Sequence, residues 1–242
     1  MSRKSKRNLK TELPGHSAQR TPAASGRGPK FIVIGSIVAL LLALGGWALL
    51  YKGADTQSSE LAGTERGMAL ASEQAPTLGE TSAKVHIVEF LDPACETCAE
   101  FFPIAKQYLT DNPGKIRLSV RHVAFHEGSE YAVRVLEASR KQDKYWQTVE
   151  ALLASQHRWA PNHVAQPELI IASIAGVGLN IDQLLADINA PDVTQRIEQD
   201  RNDAMALKVT ATPEYFVNGR PMPSFGEQQL RTLISDALQD AY

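Results

Sequence analysis

The 242-residue chain holds two cysteines, and both lie in one motif, Cys95-Glu96-Thr97-Cys98. A pair with two residues between them can be half of a metal site, a short structural disulfide, or a disulfide that opens and closes. In the last case the thiolate is the attacking species. Two cysteines exclude a disulfide-dense scaffold and a zinc site built from four thiolates. Half a zinc site would need two more ligands. Outside the N-terminal tail the histidines are His86, His122, His126, His157 and His163. Only His122 and His126 have i, i+4 spacing, and they fall in a predicted strand rather than on a helix face. No metal ligands are therefore assigned, and no organic cofactor is expected.

The elements around the motif decide what it can do. Residues 85–91 (VHIVEFL) read as a buried strand that stops at Asp92-Pro93. A helix is predicted from about Ala94 through Leu109, kinked at Pro103 and ended by Asn112-Pro113-Gly114. Residues 116–125 read as a second strand, which makes a βαβ unit with a right-handed crossover. Cys95 then lies at a helix N-terminus, where free N–H groups and the helix dipole stabilise a thiolate. Cys98 follows one turn later and is expected to be partly buried. Cys95 is the natural nucleophile and Cys98 the thiol that resolves a mixed disulfide.

Residues 129–207 read as a helical block. Residues 214–217 form a strand, and Asn218-Gly219 is a hairpin signal. The returning strand must be short or at an edge, because Pro221 and Pro223 cannot donate to a ladder. Residues 224–227 (SFGE) have capping-box spacing and open a last helix with the stripe Leu230, Leu233, Ile234, Ala237 and Leu238.

Charge divides the chain. Residues 1–30 carry eight Lys or Arg against Glu12 alone, a net +7. The remaining 17 basic and 26 acidic residues give −9, so the exposed domain would repel phosphate and no nucleic-acid partner is expected. Residues 31–51 (FIVIGSIVALLLALGGWALLY) hold no charge and, as a helix, would span about 30 Å, the thickness of the hydrocarbon core. The basic flank places residues 1–30 in the cytosol. The long apolar run, followed by Tyr51-Lys52, reads as an uncleaved signal anchor. Residues 52–82 read as a flexible tether with a helical patch near 68–72, and residues 83–242 as one domain outside the cytoplasmic membrane.

From residue 84 onward the chain resembles the thioredoxin superfamily, and most closely its DsbA-like extracytoplasmic thiol-disulfide oxidoreductases. The marks are residues 85–103 (VHIVEFLDPACETCAEFFP) and 209–220 (VTATPEYFVNGR). The resemblance implies an α/β, thioredoxin-like fold with a helical insertion at about 129–207, here preceded by one transmembrane helix. It makes Pro103 the helix-kinking proline, Glu89 the buried acid behind the cysteines, and Thr212-Pro213 the cis-proline pair facing the disulfide. Thr212 would then offer free backbone to an extended substrate peptide. Burial should raise the Glu89 pKa and let it accept the Cys98 proton.

The resemblance also implies partners: extracytoplasmic protein thiols and disulfides, and a membrane redox protein that recycles the pair. Oxidase-type members have Pro-His between the cysteines, where this chain has Glu96-Thr97. Glu96 is expected to oppose the Cys95 thiolate and make a weaker oxidant, with a potential between those of DsbA and thioredoxin. Thr212 stands where oxidases tend to have valine. Related isomerases carry a dimerisation domain ahead of the catalytic one, and residues 52–82 are too few for it. Oxidase or reductase is favoured over isomerase; the rival reading is a tethered copper-delivery protein using the same two thiols.

Overall fold

A computed structural model describes residues 67–70 and 72–242. The +7 tail and the expected membrane helix at 31–51 lie outside the described residues, as does about half of the expected tether. Among the described residues no helix is long and apolar enough to cross a membrane.

The sheet has five strands, β1 (Thr77–Leu78), β2 (Val85–Leu91), β3 (Ile116–His122), β4 (Glu214–Val217) and β5 (Arg220–Pro221), in the order β1-β3-β2-β4-β5. β2 and β3 are parallel, and all other pairings are antiparallel. Between β2 and β3 runs α1 (Glu96–Asp111), with Pro103 inside it. The helical block is α2 (Ser129–Ser139), α3 (Tyr145–Ala154), α4 (Gln156–Trp159), α5 (Pro167–Ser173), α6 (Ile181–Asp187) and α7 (Pro191–Ala206). The chain closes with the β4–β5 hairpin and α8 (Glu227–Ala241).

Successive strand residues face opposite sides, and the apolar core follows that period. Val85, Ile87 and Leu91 of β2 join the larger core with α1, α8 and most of the helical block. Val88 and Phe90 join a smaller core on the other face with Phe216, Ala204 and Leu207. Glu89 is in phase with the first set. Its register partners are Val120 of β3 and Tyr215 of β4, which both belong to the larger core. Pairing alone therefore turns the Glu89 carboxylate toward the core that contains both cysteines.

Three expectations need correction. Residues 77 and 78, assigned to the tether, pair with β3 as an edge strand, and Arg121 donates to the Ala69 carbonyl. The fold thus reaches back beyond residue 83. β3 ends at His122 rather than Phe125, because the Asp92 carboxylate takes the Phe125 and His126 amides and draws the chain off the ladder. The capping box does not form: α8 starts at Glu227, its N-cap is Gly226, and Glu227 instead pairs with Arg231. The hairpin is as expected, with Asn218 and Gly219 both at positive φ as a two-residue turn requires.

Candidate functional site

β2 ends beside β3 and β4, and the chain then turns through Asp92-Pro93-Ala94 into α1. Cys95 is the N-cap of α1. The turn is held by the Cys95 amide on the Asp92 carbonyl (3.0 Å) and the Ala94 amide on Asp92 Oδ1 (2.9 Å). From the helical block, Gln156 Nε2 donates to the carbonyls of Pro93 and Cys95 at 2.7 and 2.9 Å. Both cysteines are free thiols. Cys98 is fully buried and Cys95 is 5% exposed, so Cys95 is the sulfur nearer to solvent.

The Thr212-Pro213 bond is cis, and this loop lies against the cysteines. The Cys95 thiol donates to the Thr212 carbonyl at 3.3 Å. That carbonyl, expected to be free for a substrate strand, is occupied in the dithiol form. The Thr212 hydroxyl is buried and has no hydrogen-bond partner there among the described residues. Once the thiol proton leaves, the same hydroxyl can donate to the sulfur, which is its stabilising contribution to the thiolate.

The two sulfurs are driven apart electrostatically. Cys98, one helical turn on, is the largest influence on Cys95. It outweighs burial and, helped by Thr212, the Cys98 amide and the charge of His126, brings the Cys95 pKa down to about 5. Burial, and then the proximity of Cys95, push the Cys98 thiol well above its ordinary range. Beneath them, burial raises Glu89 to about 8. Glu89 and the Tyr215 hydroxyl influence each other across the β2–β4 pairing. Neither meets a partner at hydrogen-bond geometry among the described residues, so the coupling between them is electrostatic.

The structure brings Cys95, Cys98, Glu89, Thr212 and Pro213 together, while the Glu96 side chain turns outward. The Glu96 carboxylate is 62% exposed and leans toward His163 Nε2 at 3.9 Å. It is not among the leading influences on the Cys95 pKa, where Cys98, Thr212 and His126 favour the thiolate. His126, weighed in the sequence only as a possible metal ligand paired with His122, is delivered by the end of β3 to the Asp92 carboxylate (Nδ1 to Oδ2, 2.8 Å). No group of three or more His, Cys, Asp or Glu able to hold a metal occurs among the described residues.

Comparison with known proteins fits this geometry. A family model described as thioredoxin matches residues 71–236. Disulfide bond formation protein D of Bacillus subtilis is 26% identical over 176 residues, covering 68% of this chain and 79% of that protein. The Na(+)/H(+) antiporter NhaA of Herminiimonas arsenicoxydans is 28% identical over 159 residues, covering 66% of this chain but 25% of the antiporter. The chain thus spans about a quarter of the length of such antiporter relatives. A thioredoxin-like oxidoreductase from Silicibacter pomeroyi DSS-3 superposes with a TM-score of 0.61 at 29% identity, covering 72% of this chain and 98% of that one. By the family match, which spans more than half of its length, the chain belongs to the thioredoxin family.

Proposed function

We propose that the chain is a protein thiol-disulfide oxidoreductase that oxidises extracytoplasmic proteins from a membrane tether at residues 31–51. One observation carries the direction of electron flow: Cys95 sits at the helix N-cap with its thiolate favoured, above a buried Cys98 whose thiolate is disfavoured. A stable Cys95 thiolate favours the dithiol form and so makes the disulfide form oxidising.

A substrate thiolate attacks Cys95 Sγ of the Cys95–Cys98 disulfide, and Cys98 leaves with the electron pair. Glu89, titrating at about 8 beneath the pair, supplies the proton that Cys98 takes up. A second substrate thiolate attacks the substrate sulfur of the mixed disulfide, and Cys95 leaves as its stabilised thiolate. The substrate loses two electrons and the enzyme gains them as a dithiol. A membrane redox partner would then remove them. The disulfide bond formation role named for the Bacillus subtilis relative, and the run of charge-free residues at 31–51, support this reading.

Trapping in intact cells tests activity and location together. Cys98→Ala keeps the attacking thiol but not the resolving one, so mixed disulfides with exported proteins should accumulate, while Cys95→Ala should give none. Equal trapping by both variants, or capture of cytosolic proteins alone, would overturn the assignment.

A further inference from the structure

Two histidines meet beside Cys95 although 37 positions separate them. The His126 and His163 rings stack with centroids 4.9 Å apart and planes 20° apart. Each ring is tied to the backbone turn that carries the nucleophile. His126 Nδ1 is on Asp92 Oδ2, and Asp92 also holds the Ala94 and Cys95 amides. His163 Nδ1 is on the Ala94 carbonyl at 3.4 Å, and its Nε2 faces Glu96. The stack therefore reaches both sequence neighbours of Cys95, with a carboxylate at each end.

The segments that carry the rings are built to meet. The Ala165 amide donates to the Glu127 carbonyl at 2.9 Å. Gly128 sits at φ 74, so close that a Cβ there would lie 2.7 Å from the Ala165 carbonyl. Asn162 and His163 are consecutive non-glycine residues at positive φ, 53 and 62. Such conformations are uncommon and persist where the surroundings over-determine them. The groups facing His126 are the Asp92 carboxylate, the Ser129 hydroxyl that shares it, the His163 ring with Glu96 beyond, and Cys95. His126 has 28% of its side chain exposed, so solvent protons reach it.

We propose that His126, clamped by Asp92 and stacked on His163, is a positioning residue that tunes the redox poise of Cys95 from outside the Cys-Glu-Thr-Cys motif, adding to the larger effect of Cys98 within it. The inference rests on the oxidoreductase reading and adds the group that tunes it. A protonated imidazole favours the thiolate through space, and the effect fades as the ring loses its proton. His163 fixes the ring from the other side and draws Glu96 away from the sulfur.

The test uses the protein with its anchor in detergent, and three variants, His126→Gln, His126→Lys and His163→Gln. The first readout is the thiolate absorbance of the dithiol form against pH. The second is the equilibrium of dithiol plus oxidised glutathione with disulfide plus two reduced glutathiones, at fixed pH. His126→Gln should raise the Cys95 midpoint by about half to one pH unit and shift the equilibrium toward the protein disulfide by about three- to tenfold, tenfold being about 30 mV. His126→Lys keeps a cation and should recover most of both. His163→Gln, at a more exposed position, should move both in the same direction by less. Equal shifts for His126→Gln and His126→Lys would show that loop packing, not charge, is responsible, and would overturn the proposal. So would no change in any variant. If the wild-type protein fails to equilibrate with glutathione while His126→Gln still moves the thiolate midpoint, the oxidoreductase reading fails and this one stands.

Discussion

Glu89 and Glu137 are both buried glutamates, 0% and 2% exposed, and their carboxyl groups behave in opposite ways. Burial pushes both pKa values up, since taking a charge out of water disfavours it. Around Glu137 that push is overcome by His122 at 3.1 Å and by the guanidiniums of Arg140 and Arg196, both at 2.7 Å, and the pKa falls to about 2. Around Glu89 nothing overcomes it: no partner meets the carboxylate at hydrogen-bond geometry among the described residues, and the pKa rises to about 8. The Glu137 cluster, like the buried Arg121 between Asp200 and Asp203, joins the sheet to the helical insertion by satisfying every charge it buries. The site behind the cysteines leaves a charge unsatisfied, which is what a group that must gain and lose protons requires.

The widest test of this contrast is Glu89→Gln. The folded Glu89 holds its proton up to about 8, while the unfolded carboxyl releases it near 4.5. Between those values the unfolded state binds fewer protons than the native one, so wild-type stability falls with rising pH by about 1.4 kcal/mol per pH unit. The glutamine variant lacks this loss. Urea unfolding from pH 5 to 8 should show the variant gaining on the wild type, by several kcal/mol at pH 8, an order-of-magnitude figure for so buried a group. Proton exchange with Cys98 should meanwhile slow by about tenfold or more, and the rise in resolution rate as wild-type Glu89 ionises toward pH 8 should flatten. Parallel stability profiles would mean that Glu89 is solvated and the contrast false.

Glu137→Gln is the mirror experiment, with a smaller effect. Its folded pKa lies below the unfolded one, so its stabilisation is present above about 4.5 and is lost as pH falls toward 2. Removing the charge at pH 7 should cost about 3 kcal/mol, the low end for breaking a buried pair, because Arg140 and Arg196 remain partly exposed and can rehydrate. The Cys95 potential should not move. A stability change below about 1 kcal/mol, or a shifted potential, would merge the two regions that the contrast separates.

The two glutamates differ in how far the sequence discloses them. The place of Glu89 was implied by the family resemblance, which matches it to the buried acid behind the cysteines, while the strand is apolar in both phases and its period alone does not choose between the two cores. The βαβ unit, the hairpin and the apolar stripe of α8 were readable directly, since each is a local period or turn preference. The partners of Glu137 were not, because Arg196 lies 59 positions away on α7 and nothing local selects it. The end of β3 was misplaced because a side chain more than 30 positions upstream, Asp92, takes the amides of Phe125 and His126. The edge strand β1 is two residues long and too polar to show a period. The histidine stack was invisible because it depends on backbone contacts between two loops.

A third glutamate sharpens the comparison by its smallness. Glu96 is the acid nearest the nucleophile in sequence, and sequence proximity alone made it the expected brake on the thiolate. Its carboxylate is 62% exposed, where water screens a charge strongly, and it turns toward His163 rather than Cys95. Removing it has two opposed consequences. The loss of a negative charge favours the thiolate slightly, while the His163 ring loses a partner that helps to hold the stack in place. Glu96→Gln should therefore move the Cys95 potential by less than about 10 mV, roughly a twofold change in equilibrium constant, in a glutathione buffer at pH 7. The shift should shrink further in 0.5 M salt, since the Debye length is then below about 5 Å. A rise of about 30 mV or more that survives salt would show that Glu96 acts on the sulfur directly. The charge beside Cys95 would then come from its sequence neighbour as well as from Cys98, Thr212 and His126.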